Sequence, residues 1–479
     1  MLDTNIVNLD TGSTTIGAGE IEALAARLRG TVIEPGDTSY DEARAIWNAM
    51  IDRRPGLIVR CAGASDVVHA VRFAREHGML VSVRGGGHNI AGNAVCHGGL
   101  LIDLSQMRSV RVDPSIRRAW VEPGALLADL DKETQAFALA VPTGINSTTG
   151  VAGLTLGGGF GWLTRKFGLT IDNLISADVV TANGELLRTS LSENPDLFWA
   201  IRGGGGNFGI VTAFEFQLHH VGPQVLSGLV VHPFADARSV LKAYRKALET
   251  APDELACWAV MRQAPPLPFL PAEWHGKEVV VLAMCYCGNL EDGEKATAQL
   301  RSIGTPIADV VGPTPFVAWQ QAFDPLLTPG ARNYWKSHDF TELSDKAIDV
   351  LVDAIGRLPG PECEVFLGHV GGAAGRIPTD TTAFPQRSSH YVMNVHARWR
   401  ELRMDRPCID WARDLFDATR PYSAGTAYIN FMPEDETDRV EAAYGANYQR
   451  LVETKRKYDP LNVFRMNQNI RPRAQVRAA

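Results

Sequence analysis

The apolar positions of the first 220 residues switch repeatedly between two periods, and that switching predicts alternating strands and helices. In "GEIEALAARLRG", Ile21, Leu24, Ala25 and Leu28 fall on one helical face, with Gly30 as the stop. "GLIVRC" reads as a strand. A helix follows it, with Ser65 as N-cap, Val67, Val68, Val71 and Phe73 as apolar positions and Gly78 as its end. "LVSVR", "GGLLIDLS" and "RRAWVEPG" read as further strands. In "ISADVVTANGELLRTS", Asn183-Gly184 predicts a hairpin closed by a type I′ turn, with positive φ at both residues. "GIVTAFEFQL" alternates, with Phe214, Phe216 and Leu218 on one side and Glu215 and Gln217 on the other.

The pattern changes at "HHVGPQ", residues 219–224. From there to about residue 436 the runs are long and strand-like: "LSGLVV", "LACWAVM", "KEVVVLAMCYC", "CEVFLGHV", "HYVMNVHARW" and "TAYINF". Helices such as 343–358 lie between them, which predicts an α+β unit with helices covering one face of a large antiparallel sheet. Beyond residue 436, Val440, Tyr444, Tyr448, Leu451 and Val452 recur at helical spacing. A short tail after a complete unit packs back on the first one. The expected division is therefore a discontinuous domain of residues 1–222 and 437–479, with residues 223–436 inserted.

Composition narrows the function. The chain has 479 residues, 45% of them hydrophobic and 21% charged, which is soluble globular composition with room for two or three cores. A net charge of −7 with no basic tract argues against nucleic acid and against an anionic membrane surface as partners. The N-terminal "MLDTNIVNLDTGSTT" has neither a basic nor an apolar targeting region, and the most apolar run, "VVVLAMCYC", is too short to span a bilayer. Seven scattered cysteines, with Cys285 and Cys287 in a C-x-C lacking a matching pair, are expected to be free buried thiols and not a metal site. Cytoplasmic location is the expectation; oligomeric state stays open.

Four glycine-rich stretches carry the chemistry: "RGGGHN" (84–89), "TTGVAG" (148–153), "LGGGFGW" (156–162) and "RGGGGNFG" (202–209). Loops without Cβ atoms bring backbone N–H groups close to an anion, and several in one domain fit a long pyrophosphate ligand. Gly204, Gly206 and Gly209 match G-x-G-x-x-G, but a helix ("PDLFWAIR") precedes them and a strand follows. That is the reverse of a Rossmann context. His88 stands at the tip of the first loop. Imidazole is a good nucleophile, and beside a flavin it can bond to the ring's methyl carbon.

Together these stretches, with "GLLIDLSQM", "VEPGALLADLD", "VPTGINSTTGVAGLTLGGGFGWLTRKFGLTIDNLISADVVTANGELL", "NPDLFWAIRGGGGNFGIVTAFEFQL" and the tail "YGANYQRLVETKRKYDPLNVFRMNQNI", resemble the berberine bridge enzyme-like oxidases. These are a branch of the vanillyl-alcohol oxidase/PCMH flavoproteins, and the match covers about residues 40–220 and 436–472. The resemblance implies a PCMH-type FAD-binding domain of two α/β subdomains joined to an α+β substrate domain. It implies FAD bound through an 8α-histidyl bond at His88, with Arg84, Gly85, Gly86, Gly87 and Asn89 in the pyrophosphate loop. Gly150, Val151, Gly153, Gly157, Gly158 and Gly161 match a second loop along the flavin. Asp172, Asn173, Gly209 and Ile210 match positions near the cofactor, and Asn467 and Gln468 the tail that closes over it. Many members carry a second, cysteinyl link just before the second loop. Here Asn146 stands in that place, so one covalent link is expected and no 6-S-cysteinyl bond.

Flavin oxidation of an alcohol or amine needs a base for the heteroatom's proton. In the family a tyrosine often serves, and Tyr444 matches the tyrosine of the C-terminal motif, with Tyr448 one turn on. Tyr428 and Asn430 alternate with Ile429 on an expected strand, so they share a face and are placed at the flavin. His369, Tyr391, His396 and Arg398 are expected on strands over the ring. The implied activity is an FAD-linked oxidase of an alcohol, sugar or secondary-metabolite substrate, with O2 as acceptor. A dehydrogenase using another acceptor and a flavin-binding protein without turnover are the alternatives.

Overall fold

The structure, a computed structural model, describes residues 3–472; the ends of the expected N- and C-terminal segments, residues 1–2 and 473–479, lie outside them. Strands Thr31–Ile33, Leu57–Arg60, Leu100–Asp103 and Val81–Arg84 form a small sheet in that order, its last three strands parallel. The two central strands are buried throughout except Arg60, which is why they read as continuous apolar runs. The helix over the sheet is Ala64–Glu76, capped at Gly63 and not at Ser65. Asp66 does the side-chain work instead, its carboxylate accepting from the backbone N–H groups of Arg29, Gly30 and Ala62. The first helix, Ala18–Ala25, stops before Leu28. Gly30 is needed for packing, because a Cβ there would overlap the Arg60 carbonyl.

A second sheet orders Leu186–Ser190, Leu174–Val180, Ile210–Gln217, Arg118–Val121 and Val110–Asp113, all antiparallel. Phe214, Phe216 and Leu218 are fully buried, as the alternation requires. The hairpin at Asn183-Gly184 forms with a different turn. Gly184 alone has positive φ, because Thr181 donates to and Glu185 accepts across a three-residue loop.

The third sheet has eight antiparallel strands. Its order is Ala308–Asp309, Gln224–Pro233, Glu278–Tyr286, Leu255–Gln263, Glu364–His369, Tyr391–Trp399 and Arg332–Phe340, with Gly312–Pro315 also on Gln224–Pro233. Helices Ala237–Leu248, Asp345–Ile355 and Asp405–Thr419 bury one face of it. Strand Arg332–Phe340 escapes the apolar pattern because its polar side chains are buried with distant partners, Asn333 Oδ1 with His396 and Arg398 and Lys336 with Glu436. "TAYINF" is not a strand; Ile429–Phe431 is one 3-10 turn.

The C-terminal helix is broken at Gly445 (φ 49°) into Val440–Tyr444 and Tyr448–Tyr458. Both pieces join the core of the second sheet, together with Ala427, Ile429 and Met432. No helix among the described residues is long and apolar enough to cross a membrane.

One buried contact joins the large sheet's connections to the second sheet's helices. Gln320 donates to the carboxylate of Asp131 (3.1 Å) and to Thr143. Burial pushes the Asp131 pKa up to about 7, against a small pull from Gln320. The folded state therefore holds a proton that the unfolded state releases near pH 4, so stability falls as pH rises from 4 to 7. At pH 8 the ionised group costs on the order of 4 kcal/mol. Denaturant titrations at pH 5 and pH 8 should show the loss in wild type and a flatter dependence in Asp131→Asn. Parallel pH dependences would sink this assignment.

Candidate active site

Strand Val81–Arg84 runs out into the loop Gly85–Gly86–Gly87–His88–Asn89, all five of which line a cavity between the two smaller sheets and the large one. A Cβ on Gly86 would overlap the backbone N and Cα of Gly150, and one on Gly150 would overlap Gly86. The two loops thus close backbone against backbone, which only glycine permits. The N–H groups of Gly86, Gly87, His88 and Asn89 donate to no protein acceptor among the described residues. Unpaired donors in a cavity loop invite an anion. Gly150, Gly153, Gly205, Gly206, Gly209 and Ile210 extend the same wall. The tail supplies Asn467 and Gln468, tied to it by Asn467 donating to the Gly206 carbonyl and Asn207 to that of Gln468.

His88 faces this space with Trp47 stacked on it, centroids 5.0 Å apart and planes 21° from parallel. Its Nε2 lies 3.0 Å from the Thr148 hydroxyl. Burial pushes its pKa down to about 3, so the ring is neutral and nucleophilic across the physiological range. Asn146 lines the cavity beside it.

Tyr428 lines the same cavity. Its hydroxyl oxygen accepts from the Gly159 N–H (3.1 Å) and from Asn430 Nδ2 (2.9 Å). Burial pushes its pKa up to about 12, while those two donors pull the other way. The expected strand face is replaced by the 3-10 turn, yet the turn still brings Tyr428 and Asn430 together at the cavity.

Several expected residues stand elsewhere. Arg84 turns from the loop to Asp103 (2.6 and 3.0 Å) and the Ala45 carbonyl, bracing the strand. Val151 is buried in the core under its helix. Gly157, Gly158 and Gly161 do not line the cavity. They admit Asn430, then Phe384 and Tyr428, then the Thr143 carbonyl against the backbone. Asp172 clamps Arg387 at 2.7 Å through both oxygens, and Asn173 caps the Phe167 and Leu169 carbonyls. Tyr444 is fully buried behind the glycine wall, its hydroxyl donating to the Gly204 carbonyl, and Tyr448 stacks on it away from the cavity. Burial raises the phenol pKa of both. His369 and Tyr391 lie on the helix side of the large sheet, and Arg398 packs over Trp47 outside the cavity. Of those four strand residues only His396 lines it.

Of the sheet's cavity face, His396 is the one residue that the sequence reading singles out. Cross-strand partners place Val279, Arg262, Glu364, His396 and Trp335 in one row, and Val231, Val281, Val260, Phe366 and Asn394 in the next. Around them stand Leu229, Leu267, Phe269, Trp258, Phe160 and Phe431. Arg262 donates to Glu364 at 2.6 Å, and His396 Nδ1 lies 3.4 Å from the same carboxylate. Burial alone would raise Glu364, but Arg262 and His396 hold it down to about 2. The alternation of Glu364, Phe366 and Gly368 in "CEVFLGHV" was the available signal.

A glycine-walled cavity with unpaired N–H donors, a neutral histidine and a doubly hydrogen-bonded tyrosine in its lining fits a flavin dinucleotide. Fold and site together define an FAD-binding oxidoreductase. Residues 55–190 match the FAD binding domain model, and residues 427–471 the berberine and berberine-like model. An FAD-linked oxidoreductase of Dictyostelium discoideum is 34% identical over 472 residues, spanning 97% of this chain and 99% of its own. (R)-6-hydroxynicotine oxidase of Paenarthrobacter nicotinovorans is 32% identical, spanning 93% and 97%. The crystal structure of 6-hydroxy-D-nicotine oxidase from Arthrobacter nicotinovorans superposes with a TM-score of 0.83 at 29% identity, over 93% of this chain and 98% of that one. The chain belongs to the berberine bridge enzyme-like family of FAD-linked oxidoreductases.

Proposed function

We propose that the protein is an oxidase that takes hydride from a small, largely apolar, ring-bearing alcohol or amine to FAD held covalently by His88, with dioxygen as the electron acceptor. The observation that carries this reading is the contrast inside one cavity. Tyr428, with two donors on its hydroxyl oxygen, lines the same cavity as a sheet face that is apolar except for Arg262, Glu364, Asn394 and His396. Bound FAD supplies the hydride acceptor. Tyr428 takes the proton from the substrate heteroatom, and the Gly159 and Asn430 donors stabilise its phenolate. Glu364, held ionised near pKa 2, is too weak a base for that step and orients the substrate's one polar group. A saccharide would leave most of its hydroxyls unpaired here. The oxidase named for 6-hydroxynicotine acts on such a compact ring compound, which supports the reading. A cytoplasmic setting belongs to it too, since all seven cysteines are free and buried.

Anaerobic stopped-flow mixing with aromatic secondary alcohols, N-heterocyclic amines and mono- and oligosaccharides tests the substrate class. Members of the first two sets should bleach the flavin, and air should restore it with release of peroxide. Bleaching by saccharides alone would overturn the reading. The covalent link has its own check: denatured wild type should keep flavin fluorescence on a gel, and His88→Ala should lose all of it. Asn146 offers no sulfur, so a second link is not expected.

A further inference from the structure

We propose that Thr148 and Asn146 form a hydrogen-bond relay that fixes the tautomer of His88 and leaves Nδ1 as the atom that bonds the flavin. The proposal rests on the covalent link at His88.

The relay follows from which atoms can donate. Asn146 Oδ1 accepts from the backbone N–H of Thr148 at 3.2 Å, and a peptide N–H can only donate, so the atom there is the amide oxygen. The Thr148 hydroxyl lies 2.8 Å from that same oxygen, so it must donate its proton to it. The hydroxyl's lone pair is then what meets His88 Nε2 at 3.0 Å, which requires Nε2 to carry the ring proton. A neutral imidazole has one proton, and burial keeps this ring neutral. Nδ1 therefore keeps its lone pair, and no protein donor among the described residues engages it. Trp47 stacked on the ring fixes its plane.

The relay is anchored independently of any ligand. Ser147, between its two members, is held by Asp324 from the inserted segment through its backbone N–H (2.9 Å) and its hydroxyl. The Thr149 N–H donates to the Asn146 carbonyl. The position that would hold a second flavin link in the resembling enzymes is thus used here to orient the first.

In the attachment step a bond forms between Nδ1 and the flavin 8α carbon, and one C–H bond of that methyl group breaks. The methyl hydrogen and the Nε2 proton leave, and dioxygen takes two electrons and two protons as hydrogen peroxide. Once Nε2 has lost its proton it becomes an acceptor. A hydroxyl can rotate to donate to it, so Thr148 serves the ring before and after the bond; an aliphatic side chain serves neither state. Thr148 and Asn146 are positioning residues, since neither needs to touch the reacting carbon.

The test compares wild type, Thr148→Val, Thr148→Ser and Asn146→Asp holoproteins, purified after equal expression times. The readouts are the fraction of total flavin that survives denaturation and the ring nitrogen that carries it, found by mass spectrometry and NMR of the His88 peptide. Thr148→Val should keep FAD bound yet attach it about tenfold more slowly, the loss expected for one orienting hydrogen bond, or through both nitrogens. Thr148→Ser and Asn146→Asp, which keep a hydroxyl and an acceptor, should match wild type. Wild-type attachment through Nδ1 with Thr148→Val fully and uniquely attached through the same atom would overturn the relay alone. Flavin released from wild type by denaturation would overturn the covalent link and the relay with it. If Thr148→Val fails to fold, 15N-histidine NMR of the wild-type apoprotein decides: an Nε2-protonated His88 supports the relay, and an Nδ1-protonated one overturns it.

Discussion

Replacing Tyr428 with phenylalanine should slow flavin reduction by roughly a hundred- to ten-thousand-fold, the usual worth of a positioned general base, while FAD stays bound. The phenol ring packs against Phe160 and Phe431 with centroids about 5 Å away, and phenylalanine keeps those contacts. What disappears is the oxygen. Loss of that acceptor leaves the Gly159 N–H and Asn430 Nδ2 without it, costing about 1–3 kcal/mol of stability, too little to unfold the chain. The pH profile separates catalysis from packing. With the folded pKa near 12, the phenolate fraction rises tenfold per pH unit through the neutral and mildly alkaline range. Wild-type reduction should therefore speed up with pH, and the variant should be flat. A variant within threefold of wild type, or one that keeps the slope, would move the base to another group.

This assignment differs from the one the C-terminal motif favours, and the reason is geometric. Helical spacing tells which face of 440–452 is buried but not against what. The face of Tyr444 meets the back of the Gly204 loop and not its ligand side. Arg84, Asp172 and Asn173 mislead in the same manner. Their side chains are polar, but their partners are Asp103, Arg387 and local carbonyls, which local sequence does not identify.

The glycine walls were legible because the constraint is local: a missing Cβ is visible in the sequence whatever it faces. His88 stands at the end of the first glycine run and lines the cavity with it. The row Arg262–Glu364–His396 was not legible. It exists only through the register of three strands, Arg262 lying more than a hundred positions before Glu364 and His396, and each charge looks like an ordinary strand residue until its neighbours are known. Trp47, far from any glycine loop in sequence, joins the site because its indole donates to the Leu327 carbonyl, 280 positions on.

Two glycine substitutions should both weaken FAD binding while moving stability in opposite senses, which separates loops that merely turn from loops that hold a ligand. Gly86→Ala places a methyl group into the backbone of Gly150, an atom that no rotamer change can move aside. Overpacking of this kind costs about 1–3 kcal/mol, and because the N–H donors of residues 86–89 shift with it, both stability and FAD retention should fall. Gly153 is the converse. It sits inside helix Val151–Leu156, lines the cavity, and a Cβ built on it meets nothing within 4 Å. In the apoprotein Gly153→Ala should raise stability by up to about 1 kcal/mol, the helix propensity gained. With flavin in the cavity that same methyl occupies ligand space, and FAD affinity should drop at least about tenfold, or 1.4 kcal/mol. Thermal melts of flavin-depleted protein and fluorescence titration with FAD measure the two quantities separately. If Gly153→Ala stabilises the apoprotein and binds FAD as wild type does, the second glycine loop is a turn and nothing more, and the ligand must lie along a different wall.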